Sequence, residues 1–78
     1  MLKKTEKLVI TFHTTTDAMA MEQLCKANGA EGRLIPVPRA ISAGCGLCWC
    51  AAPASEPQLL LLMQRGGIAF QAVHRCLV

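Results

Sequence analysis

Apolar and polar side chains alternate from Leu8 to His13, with Leu8, Ile10 and Phe12 on one side and Val9, Thr11 and His13 on the other. That period of two predicts a first strand buried through one face. The polar cluster Thr14, Thr15, Thr16 and Asp17 follows, and short oxygen-bearing side chains of this kind cap helix N-termini. From Ala18 to Ala27 the spacing changes to that of a helix, with Ala18, Met21, Leu24 and Cys25 on one face. Asn28 and Gly29 are suited to ending it, because both tolerate the left-handed conformation of a C-terminal cap.

Arg33 to Val37 reads as a second strand. Pro36 and Pro38 each remove a backbone donor and so confine it to a sheet edge. In Leu47 to Ala52, Leu47 and Trp49 alternate with Cys48 and Cys50, which predicts a third strand. Pro53 to Pro57 interrupts the pattern, and Ser55 with Gln58 three residues on has the form of a capping box. A second helix is expected from there to about Arg65, stopped by Gly66 and Gly67. Ile68 to Leu77 is expected as a last strand, with Phe70, Ala72, His74 and Cys76 on one side.

The order β-α-β-β-α-β predicts an α+β, ferredoxin-like architecture, a four-stranded antiparallel sheet with both helices on one face. The first and third strands then lie in the centre and the second at an edge, where the prolines place it independently. Residues 1–78 are expected to form one domain, since a chain of this length supports one modest core. In this topology the turn before the third strand lies at the same end of the sheet as the exit of the first strand and the N-terminus of the first helix. Cys45 is thereby expected to face Thr14, Thr15, Thr16 and Asp17.

Composition changes the picture mainly through its thiols. The chain is 53% hydrophobic but has no Tyr, one Trp and two Phe, so its core must be largely aliphatic. Eight Lys and Arg against five Asp and Glu give a formal charge of +3. Those cations are scattered and lack interleaved aromatic platforms, which speaks against nucleic acid as the partner. The basic start followed by Leu8 to Phe12 resembles a secretory leader, yet its apolar run is too short for one and far too short for a membrane span. Five cysteines, an odd number, argue against a fully paired disulfide framework. A cytoplasmic setting follows, in which thiols serve as ligands or nucleophiles.

Cys45 stands out among the five. Gly44 and Gly46 flank it, allowing unusual backbone angles and leaving the sulfur uncrowded at the mouth of a strand. Nine residues from Pro38 to Gly46 are many for a plain hairpin connection. Thiolates are favoured near cations and helix N-termini, and Arg39 and the first helix could supply both, with His13 a further neighbour. The alternative is that the glycines merely shape a turn. Cys45 and Cys48 form a C-x-x-C, but three residues along a strand span roughly 10 Å, beyond the reach of a disulfide without rearrangement. Cys48 and Cys50 share a face and, with Cys45, constitute an alternative soft-metal site for Zn or Cu(I). Cys25 and Cys76 read as packing residues. The continuous run Leu59 to Leu62 implies either deep burial or a partner-facing surface.

Three stretches together carry a family resemblance: Thr16-Asp17-Ala18-Met19-Ala20-Met21-Glu22, Arg33-Leu34-Ile35-Pro36-Val37-Pro38-Arg39, and Ile41-Ser42-Ala43-Gly44-Cys45-Gly46. The chain resembles the selenium/sulfur carrier-like proteins from about Leu8 to Val73. The resemblance implies a carrier rather than a turnover enzyme, with the chalcogen held on Cys45 as a persulfide-type adduct. By residue match Gly44 and Gly46 frame the thiol and Arg39 is its charge partner. It also implies a donor such as a cysteine desulfurase and an acceptor protein, without a cofactor. Cys48 and Cys50 depart from the family pattern, where apolar residues are usual, and keep the metal alternative open. A non-catalytic interaction domain is the remaining alternative, and the apolar excess is compatible with a homodimer.

Overall fold

The computed structural model describes residues 6–38, 41 and 46–77. Four strands form one sheet: β1 (Glu6–Thr11), β2 (Arg33–Pro36), β3 (Leu47–Ala51) and β4 (Ala72–Leu77). The helices are α1 (Thr15–Asn28) and α2 (Glu56–Gly66), the latter preceded by a short 3-10 turn over Pro53–Ser55. The strands lie in the order β2-β3-β1-β4, and every pairing is antiparallel. This is the expected ferredoxin-like arrangement, with the proline-bearing strand at the edge.

Strand parity explains how the helices find their side of the sheet. Leu8, Ile10 and Phe12 project from β1 and its exit, and Trp49 and Ala51 project from β3 on the same face. They close over Ala18, Met21 and Cys25 of α1 and over Leu59 and Met63 of α2, forming one buried cluster. Burying each of the larger aliphatic or aromatic side chains is worth about 1.5–3 kcal/mol, so this face supplies most of the hydrophobic driving force. The run at Leu59 resolves by helical period: Leu59 and Met63 are buried, Leu60 and Leu62 half-buried, and Leu61 exposed.

The first helix begins as its sequence predicts. Thr14 is extended and its hydroxyl accepts a hydrogen bond from the Asp17 amide at 3.2 Å, supplying one of the helix's unpaired donors with a partner. Its C-terminal end is capped by Gly29.

Two expectations need correcting. The capping box at Ser55 does not form, because Pro53-Ala54-Ser55 winds directly into α2. Ser55 therefore has helical backbone angles and makes no side-chain cap. The last strand starts at Ala72 rather than Ile68. The Ile68 amide donates to the carbonyl of Met63 at 3.0 Å, and its side chain packs against the core. The Gly67 cap thus turns the chain back onto the end of α2 before it reaches the sheet, and Phe70 stays exposed in the connection. β4 is tied to α2 at its far end by an ion pair between Arg75 and Glu56 at 2.9 Å.

Among the described residues no helix is long and apolar enough to cross a membrane.

Candidate functional site

Of the expected site residues, Gly46, Thr16 and Asp17 are described, and they stand at the end of the sheet where β1 leaves and β3 enters. Ile35, Cys48, Thr11 and Ala72 form one row across the four strands. The row is closed on the β4 side by the Gln71 amide, which donates to the Thr11 carbonyl at 2.7 Å. Just beyond it, the Val37 amide donates to the carbonyl of Gly46 at 3.0 Å. The segment between these two residues therefore departs from and returns to neighbouring points at the mouth of the sheet. Pro38 contributes the first turn of that segment, its carbonyl accepting from the Ile41 amide at 3.0 Å.

Gly46 has φ +76°, a left-handed conformation that disfavours other residues. Among the described residues no atom lies within 4 Å of where a Cβ would stand, so within the chain the glycine serves the backbone angle. The expectation that a glycine after Cys45 supplies an unusual backbone angle is met at this position. Arg39, Gly44 and Cys45 lie outside the described residues.

The first turn of α1 stands at the same end of the sheet, since β1 runs into it through His13 and Thr14. Thr16 is exposed there, as is His13. Asp17 is half-buried, and its carboxylate accepts a hydrogen bond from the Thr14 hydroxyl at 2.9 Å. Asp17 thus belongs to the cap through both its amide and its side chain. A helix N-terminus carries partial positive charge and favours anions, and Asp17 offsets part of that charge.

The described thiols separate by face. Cys25 is in the helix-side core, where burial pushes its thiol up from its ordinary value. Cys48 and Cys50 point away from the helices, Cys48 fully buried and Cys50 half-buried. The Cys48 thiol is directed at the Pro36 carbonyl, 4.0 Å away. Cys76 shares this second face from β4 and is also pushed up, first by burial and then by the charge of Cys50. Of the alternative metal set, Cys45 is outside the described residues. Among the described residues no group of three or more His, Cys, Asp or Glu side chains is placed to hold a metal ion.

Sequence reasoning missed what surrounds Cys50. Arg33 is its register partner on β2 and Lys7 is diagonal to it on β1, so both share its face. Only the strand register brings these residues together, and no local motif announces them.

A family model described as "Putative Se/S carrier protein-like" matches residues 7–75. No curated protein and no solved structure matches the chain.

Proposed function

The chain belongs to this selenium/sulfur carrier-like family, the match covering nearly its whole length, and from that premise we propose that it carries sulfur or selenium on Cys45 as a persulfide-type adduct in the cytoplasm. The Cys45 thiolate attacks the outer chalcogen of a donor persulfide. The donor's S–S or S–Se bond breaks, its cysteine leaves as a thiolate, and the outer atom is now bonded to Cys45. An acceptor thiolate then attacks that same atom and releases the Cys45 thiolate. Electrons balance within each exchange, so neither a cofactor nor an external reductant is required.

The observation that carries this reading is the closure of the segment by the Val37–Gly46 hydrogen bond beside the entry to α1. It holds Val37 and Gly46, the two ends of the segment that contains the Ile41-Ser42-Ala43-Gly44-Cys45-Gly46 motif, at the rim of the sheet. The N-terminus of α1, with Thr16 in its first turn, and Arg39 are the groups assigned to favour the anionic sulfur, while Asp17 completes the helix cap through Thr14. Gly44 and Gly46 leave room for the partner's backbone. Donor and acceptor are proteins with reactive thiols, a cysteine desulfurase being the donor class that fits sulfur.

Incubation with a cysteine desulfurase and cysteine, followed by intact mass measurement without reductant, tests this. Wild type should gain the mass of one sulfur, and Cys45→Ser should gain none. Equal loading of the variant would remove Cys45 from the carrier role.

A further inference from the structure

A second thiol site lies on the sheet face that the helices leave uncovered. An open cavity of about 330 Å³ is lined by Lys7, Glu31, Gly32, Arg33, Cys50 and the Ala51-Ala52 segment. Cys50 supplies its sulfur from β3, Arg33 stands directly across on β2, and Lys7 comes from β1. Among the described residues neither cation is paired with a carboxylate, and the Arg75–Glu56 ion pair lies elsewhere. The acidic member of the cavity is already engaged: Glu31 Oε1 accepts from the Ala52 amide at 2.9 Å, and the Glu31 carbonyl accepts from the Trp49 indole at 3.2 Å.

Gly32 makes this wall possible. Its φ of +122° disfavours any side chain, and a Cβ there would collide with the Trp49 indole nitrogen and come within 2.7 Å of the Cys50 carbonyl oxygen. The Glu31-Gly32 backbone therefore lies tight against β3 and leaves the space in front of Cys50 open. Cys50 is four residues along β3 from Gly46, about 13 Å at strand spacing, so the cavity is separate from the rim where Cys45 is proposed to act.

We propose that Cys50 is a site of reversible mixed-disulfide formation with low-molecular-weight disulfides whose arms carry carboxylates, recognised by Lys7 and Arg33. The Cys50 thiolate attacks one sulfur of the incoming disulfide. The S–S bond breaks, a Cys50–sulfur bond forms, and the other arm leaves as a thiolate that takes up the proton Cys50 gave off. The disulfide is itself the oxidant, and the two cations hold the carboxylates of the arm that stays.

The test uses the full chain carrying Cys45→Ser, which removes the proposed carrier thiol and makes the outcome independent of it. With glutathione disulfide as the probe, one adduct should form and map by peptide mass spectrometry to Cys50. Adding Lys7→Gln and Arg33→Gln should slow it by about 3- to 10-fold at low ionic strength, an effect that salt diminishes. The uncharged bis(hydroxyethyl) disulfide should react with both proteins at rates within about twofold, because no charge is there to be steered. Mapping of the adduct to Cys76 or Cys48, failure to form any adduct, or equal slowing with both disulfides would overturn the proposal. Mapping requires no substitution at Cys50 and so does not depend on a Cys50→Ser chain folding.

Discussion

The two faces of the sheet use the same strands for opposite purposes. On the helix side, β1 and β3 present Leu8, Ile10, Trp49 and Ala51 to a closed apolar cluster, and the cysteine found there, Cys25, is sealed into the core. On the other side the intervening positions of β3 are Cys48 and Cys50, and Lys7, Arg33, His74 and Cys76 surround them on neighbouring strands. The side of the sheet on which a thiol lies therefore sets its surroundings in this small protein. One step along β3 exchanges a core side chain for one that faces a cation-lined cavity.

The contrast breaks most severely on the apolar side. Phe12 is fully buried at the exit of β1, and Phe12→Ala should cost about 3–5 kcal/mol, as aromatic truncations in cores do. Chemical denaturation would measure it. A loss under about 1 kcal/mol would mean that the helix-side cluster does not hold the fold together.

At the rim the expected effect is smaller and purely conformational. Among the described residues Gly46→Ala meets no neighbouring atom but must keep a left-handed backbone, at a cost of roughly 1–2 kcal/mol. Because the Val37–Gly46 hydrogen bond frames the motif, persulfide loading should fall together with that stability. Unchanged stability would show that the left-handed angle at Gly46 is not required.

The smallest effect separates the faces by pH. Burial raises the Cys25 thiol above its ordinary value of 9.0, so the folded state holds this proton after the unfolded chain has released it. Its contribution is fully present below pH 9 and is lost as pH rises through the higher folded value. Cys25→Ala should therefore lose less stability than wild type as pH rises above 9.0, the ordinary thiol value. Parallel alkaline stability curves for the two proteins would contradict a sealed Cys25.

Much of this was legible from residue order. Alternation in β1 and β3, the prolines of β2 and the threonine cap of α1 are local signals, and each led to the observed element. The start of β4 was not legible, because Ile68 and Phe70 look like strand residues while Ile68 packs back onto α2 and Phe70 stays in solvent. Ser55 was misread because a capping box presumes an extended residue, whereas the preceding proline turn had already set helical angles. The Gly-Cys-Gly motif was readable as a motif, and its glycine at 46 has the backbone it implied. The Cys50 cavity could not be read in advance, since Lys7, Gly32 and Arg33 are ordinary residues until register and close packing on β3 place them around one sulfur.

Site mapping of the loaded protein tests the carrier assignment most directly. After desulfurase treatment, persulfide-selective alkylation and digestion, the account predicts the extra sulfur on the peptide containing Cys45 and none on those of Cys25 or Cys76. Extra sulfur distributed among the cysteines, or confined to one other than Cys45, would contradict it.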